Sequence, residues 1–249
     1  FLFQFDIPPN ETRQIYLRLK SHDGLHEPCP ILLWDQQSFA LANGLRNLGI
    51  GLYFGIMLVM AIYNLFVFLV VKDRAYAYYV IYIIGFFFWL TTYFGYSFQY
   101  LWPNSYIWGN QAIIVSSSFW AVFMIQFVRS FLDTKQLVPW FDKFGQIAIG
   151  GLIFNIIFSF TGNYAIGIQI ILGLGIPVCL ATITAGAICF KAGFRPARYF
   201  LLAWTTLLLS IVIFVFKIAG ILPTTLITEK SIQIGSAIEV ILLSLALAD

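Results

Sequence analysis

The sequence predicts an all-α integral membrane protein, a bundle of seven transmembrane helices preceded by remnant β-strands of an extracytoplasmic domain. Three observations predict it. The composition is 60% hydrophobic and only 10% charged, with 18% aromatics, which is more apolar surface than a soluble chain of 249 residues can bury. Seven apolar stretches each approach the ~20 residues that a helix needs to cross a bilayer. The basic residues between those stretches alternate in density from one loop to the next.

Taken in order, residues 1–44 read as the end of an extracytoplasmic β domain, which the family resemblance given below implies is a β-sandwich. Phe1, Phe3 and Phe5 alternate with Leu2, Gln4 and Asp6, and Pro8, Pro9 and Asn10 supply a turn. Ile15, Leu17 and Leu19 then alternate with Tyr16, Arg18 and Lys20, the period of two that marks a half-buried strand. Residues 31–34 are expected as a third strand. Three short strands do not close a stable sheet alone, so the rest of the domain is expected upstream. His22, Asp23, His26 and Glu27 gather near Cys29, a spacing that could hold a metal. Gly24 and Pro28 make a polar turn the better reading, and no metal is expected. Asn10-Glu11-Thr12 matches a glycosylation acceptor, a triplet that is common by chance.

Residues 45–249 form the membrane domain. The spans run over about 48–71, 76–101, 107–128, 144–161, 164–190, 197–222 and 231–248. Asp73-Arg74, Pro103-Asn104, Gly162-Asn163, Arg195-Pro196 and Pro223 punctuate them. Loops one, three and five carry eight Lys and Arg, whereas loops two, four and six carry only Lys230. By the positive-inside rule the odd loops are cytoplasmic, the amino terminus extracytoplasmic and the carboxyl terminus cytoplasmic. The chain opens on Phe without a signal-peptide pattern, and the last helix meets no stop signal, so a longer protein is expected at both ends. Cys29, Cys179 and Cys189 are too few for a disulfide framework and read as free thiols.

The candidate functional residues are the ionisable and amide groups inside the spans. Glu239 comes first, because a carboxylate in hydrocarbon is costly and therefore a functional hypothesis by default. It lies ~15 Å from the cytoplasmic end of its helix, and Asn64 in the first span lies ~12 Å from that side. If the first and seventh spans are neighbours, Asn64 is placed to donate to Glu239, either as a packing hydrogen bond or as part of a switch. Lys217 sits near the outer end of the sixth span, where its ammonium can snorkel outward or meet a ligand. Arg129 ends the third span, where the charge rule already explains it. In the second span Tyr82, Trp89, Tyr93 and Tyr96 approximate one face and are candidates to line a cavity, against the blander role of packing and interfacial belts. Gly173, Gly175 and Pro177 should weaken or kink the fifth span, and Gly51 and Gly55 make a small-xxx-small pair in the first.

Several functions are disfavoured. A net charge of +3 argues for no nucleic-acid partner. No mid-membrane Lys in the seventh span offers a retinal attachment point, and no paired aspartates or Ser/His/Asp set supports an intramembrane enzyme or a cofactor. A small-solute transporter or channel is an alternative function, but Asn64, Gln126, Asn155, Gln169 and Glu239 make a sparse polar path.

Several stretches together resemble the bacterial seven-transmembrane receptors with diverse intracellular signalling modules. They are Gly51-Leu52-Tyr53-Phe54-Gly55-Ile56-Met57, Tyr63-Asn64-Leu65-Phe66, Asp73-Arg74-Ala75-Tyr76-Ala77-Tyr78-Tyr79 and the run from Arg195 to Trp204. The most specific is Gln233-Ile234-Gly235-Ser236-Ala237-Ile238-Glu239, leading into Leu243 to Asp249. The resemblance covers about residues 45–249. It implies a sensor in the bacterial inner membrane that relays an extracytoplasmic signal through the seventh helix. The output would be a carboxyl-terminal histidine kinase, nucleotide cyclase or phosphatase, as in two-component and related signalling. The expected partners are the lipid bilayer, the protein's own β domain and output domain, and a small ligand, carbohydrate being one candidate because the family's sandwich is similar to carbohydrate-binding modules. A homodimer is expected by analogy with such outputs.

Overall fold

A computed structural model of the chain describes residues 32–161, 163–218 and 220–248, together with 3, 8 and 12–17. It divides into two units, Phe1–Leu33 and Trp34–Asp249. In the first, residues 12–17 adopt no regular secondary structure, and the Tyr16 phenol donates to Gln14 Oε1 at 2.9 Å. The strand expected through Ile15 and Leu17 is therefore absent at those positions, and no strand occurs among the described residues. The expected strand around Phe1 to Phe5 falls outside them except for Phe3. The whole cluster from His22 to Cys29 and the Asn10-Glu11 pair also lie outside the described residues.

The second unit is helical. Its elements are α1 (Gln36–Val71), α2 (Arg74–Tyr93), α3 (Tyr96–Tyr100), α4 (Tyr106–Phe131), α5 (Thr134–Leu137), α6 (Pro139–Ser159), α7 (Tyr164–Lys191), α8 (Ala197–Ile218), α9 (Leu226–Glu229) and α10 (Ser231–Ala248). Six helices, α1, α2, α4, α6, α7 and α8, are long and apolar enough to cross a membrane by length and composition. The seventh long helix, α10, is apolar as well and has 18 residues.

Helix α1 corrects the expected boundary at residue 44, since residues 36–44 are helical rather than part of a β domain. The physical reason is local. The Asp35 carboxylate accepts from the backbone N–H groups of Gln37 and Ser38 at 3.0 and 2.9 Å, so it caps the helix well before its apolar core. Leu41, Leu45, Leu48 and Leu52 then recur at helical spacing and form one exposed apolar face. At the other end Lys72 takes a left-handed conformation (φ 58°) and returns its N–H to Phe68 O. Asp73 immediately caps α2 by accepting from Ala75 N at 2.9 Å. Two residues thus reverse the chain.

The second expected span, 76–101, is broken in the structure. Helix α2 ends at Tyr93, Gly95 adopts φ 79°, and the short α3 follows. A left-handed residue costs glycine little and any other residue more, which makes this a natural stop. The fourth span begins earlier than expected because Pro139, which needs no N–H partner at a helix start, opens α6. In α7, Pro177 lies inside a continuous helix.

The long helices pack in sequence, α1 on α2, α2 on α4, α4 on α6, α6 on α7, α7 on α8 and α8 on α10, and α10 closes the ring against α1. An aromatic column fills the centre. Tyr79 packs on Phe127 at 5.0 Å between ring centroids, Phe127 on Phe131 at 5.5 Å, Phe131 on Phe200 at 5.7 Å and Phe200 on Trp204 at 5.9 Å. Lipid tails are as apolar as these rings, so close packing and interhelical hydrogen bonds hold such a bundle together rather than expulsion of water.

Candidate functional site

Helix α10 is enclosed on nearly every side. Among its described side chains only Ile234, Ile238, Ile241 and Leu245 are exposed, at spacings of three and four that trace one narrow stripe. The remaining positions face α8, α1 and α2. Contact with α8 is tight at Gly235, where a Cβ would fall 2.2 Å from Ser210 Oγ and 2.4 Å from Ser210 Cβ. Glycine is required there by space.

From the opposite side, α1 and α2 hold α10 through a series of hydrogen bonds. The Tyr53 and Ser236 hydroxyls lie 2.8 Å apart. Ser236 Oγ also donates to Gln233 O at 3.2 Å, which leaves Tyr53 as the donor between the two hydroxyls. One level further along, Ser244 donates to Asn64 Oδ1 at 3.2 Å, while Asn64 Nδ2 donates to Met60 O in its own helix. Helix α2 runs antiparallel to α10 and adds three phenols. Tyr82 donates to Glu239 Oε1 at 2.8 Å, Tyr79 to the Val240 carbonyl and Tyr76 to the Leu247 carbonyl at 2.7 Å. Glu239, Tyr79, Tyr82, Asn64 and Ser236 are all at most 1% exposed.

Glu239 is the singular member. One carboxyl oxygen accepts from Tyr82, and the other, Oε2, has no hydrogen-bond partner. A buried oxygen without a donor costs about 1–3 kcal/mol, so the site holds an unsatisfied group at its centre. The indole N–H of Trp120, whose ring lies 6.3 Å from that of Tyr82, is likewise without a partner.

The structure redistributes the residues singled out from the sequence. Asn64 and Glu239 do face the same bundle interior, but they do not bond to each other. Asn64 meets Ser244, five residues beyond Glu239, while Glu239 turns to α2 and Tyr82. Counting depth along two helices gives their level and leaves their rotation undetermined. Arg129 belongs to a separate network, with Nε on Asp142 Oδ1 at 2.9 Å and Nη1 on Gln126 Oε1 at 2.8 Å, tying α4 to α6. Lys217, half-buried in the last turn of α8, sits 5.6 Å from the Phe214 ring centroid. Of the four aromatic candidates, Tyr82 is the Glu239 donor and Trp89 stacks on Trp120 at 5.1 Å. Tyr93 packs edge-on against Phe214, and Tyr96 lines a cavity. Tyr53, Tyr76, Tyr79, Ser236 and Ser244 went unnoticed as site residues. The readable signal was the recurrence of tyrosine at 76, 79 and 82 opposite a helix dotted with serines. Among the described residues no group of three or more His, Cys, Asp and Glu could hold a metal, and Cys179 and Cys189 are free thiols.

A family model described as 7TM diverse intracellular signalling matches residues 46–249. The chain belongs to this family. Neither a search of curated proteins nor a search of solved structures found a match to the chain. As a member of the 7TM diverse intracellular signalling family, it is a multi-pass membrane protein and the membrane region of a sensor. The stretches that carry the likeness to this family contain nearly every residue that grips α10: Tyr53, Asn64, Tyr76 and Tyr79 on one side, Ser236, Glu239 and Ser244 on the other. Tyr82 lies just beyond them.

Proposed function

We propose that α10 is the output helix of this sensor and that its hydrogen-bonded contact with the α1–α2 pair is the element a signal rearranges. The observation that carries the proposal is Glu239, held by Tyr82 through one oxygen and unsatisfied at the other. Such a group makes two packings of the same helix unequal in energy, because a small rotation changes which donors it finds. A signal shifts the balance only by its differential affinity for the two arrangements. The signal arrives from an extracytoplasmic β domain or its ligand. The receiver is a cytoplasmic histidine kinase, nucleotide cyclase or phosphatase beyond α10, and the membrane region itself catalyses nothing. The distribution of Lys and Arg supports residence in the bacterial inner membrane with the amino terminus outside and the carboxyl terminus in the cytoplasm. A homodimer suits such outputs.

Transport fits less well. Asn64 is bonded within the α1–α10 contact, Gln126 to Arg129, and Asn155 to Ser118 and the Gly167 carbonyl, while Gln169 is exposed. These groups serve different helix pairs and do not line one path.

The test is Glu239→Gln in the full-length protein, followed by basal output and response to signal. The amide keeps the size and the acceptor for Tyr82 but adds a donor where Oε2 stood. The variant is expected to fold and to change basal output. Unchanged basal output together with an unchanged response would overturn the proposal.

A further inference from the structure

A cavity of about 150 Å³ opens where α10 begins and α2 ends, beside residues 46–54 of α1. Its polar lining comes from Arg46, Tyr53, Tyr96, Glu229, Lys230 and Gln233, and the rest is apolar. Glu229 and Lys230 offset each other as an ion pair at 3.3 Å. With Arg46, Lys230 and Glu229, the lining itself carries a net charge of +1, and among the described residues Arg46 has no carboxylate partner. Gln233 is only 9% exposed, and its Oε1 has no hydrogen-bond partner. It stands in the first turn of α10, where backbone N–H groups lack intrahelical acceptors and the helix dipole favours negative charge.

These features ask for two things at once. The guanidinium and the helix start favour an anion, while the buried amide oxygen needs a donor. At about 150 Å³ the cavity suits an occupant the size of a small metabolite. We infer that this cavity binds a small carboxylate bearing a hydrogen-bond donor, a hydroxy acid or an amino acid, with its carboxylate toward Arg46 and its donor on Gln233 Oε1. A ligand there touches α1 and α10 together. Tyr53 lines the cavity and bonds to Ser236, and Ser236 bonds to the Gln233 carbonyl, so the occupied cavity bears directly on the contact that leads to Glu239. This link to signalling rests on the proposed role of α10, whereas binding does not.

The experiment is calorimetry on the whole chain in lipid nanodiscs with four matched probes: L-lactate, L-alanine, propionate, which lacks the donor, and propane-1,2-diol, which lacks the carboxylate. Lactate or alanine is expected to bind at least about tenfold more tightly than propionate or the diol, the scale of one hydrogen bond to an otherwise unpaired buried group. Whichever of the two binds identifies the donor as hydroxyl or ammonium. Arg46→Leu should abolish binding. Gln233→Leu, which removes the orphan oxygen and should fold at least as well as the parent, should erase the preference over propionate. Absence of binding by all four probes, equal binding of propionate, or undiminished binding by Arg46→Leu would overturn the inference. The readout needs no output domain, so its failure is separable from failure of the Glu239→Gln test.

Discussion

At the scale of single residues, Tyr82 and Tyr79 make the same kind of hydrogen bond to α10 with different consequences. Tyr82 supplies the donor to the Glu239 carboxyl, so Tyr82→Phe leaves both oxygens of a fully buried group unsatisfied. A loss of about 1–3 kcal/mol is expected, read as a lowered melting temperature in detergent. Tyr79 donates to the Val240 carbonyl, which also sits within the backbone ladder of its helix. Tyr79→Phe is therefore expected to cost about 0.6 kcal/mol, the average for interhelical hydrogen bonds in membranes. Replacing both members of the first pair, Tyr82→Phe with Glu239→Leu, should recover most of the loss, because no buried acceptor is then left over. Glu239 was legible in the sequence because an acid stands out in an apolar run. Its donor was not, because Tyr82 is one of 13 tyrosines and nothing local distinguishes a phenol that faces an acid from one that faces a ring.

At the scale of elements, the contact between α8 and α10 turns on one atom-sized space. Gly235→Ala drives a methyl into Ser210, and a cost of about 1–3 kcal/mol is expected from overpacking. Ser210→Gly in the same chain removes both atoms in conflict and should restore the melting temperature, whereas Ser210→Ala should not, since its Cβ remains. The helices themselves were largely legible, because apolar runs of membrane length are hard to mistake. Their ends were less so. The start of α1 at Gln36 depends on a cap by Asp35 that resembles any loop aspartate, and the break after α2 depends on the backbone angle of Gly95. That break also explains why Tyr96 left the face it shared on paper with Tyr82 and joined the cavity.

At the scale of the whole molecule, the bundle has two ends that the charge distribution assigns to opposite sides of the membrane. In a background lacking Cys29, Cys179 and Cys189, a cysteine at exposed Asn104 should react with an impermeant thiol reagent in intact cells. One at exposed Lys135 should react only after permeabilisation. The reverse pattern would invert the topology and place the cavity of Arg46 and Gln233 on the cytoplasmic side. The two-residue connection at Lys72-Asp73 bears on how α10 can move at all. With a cap on either side of it and no slack between, α1 and α2 behave as the two sides of one clamp. Five hydrogen bonds along α10 are registered against that single body. A slide by one residue, about 1.5 Å, would put all of them out of step together. On the proposed relay, the helix would be indexed like a ratchet, and its displacements would come as whole clicks rather than as a graded drift.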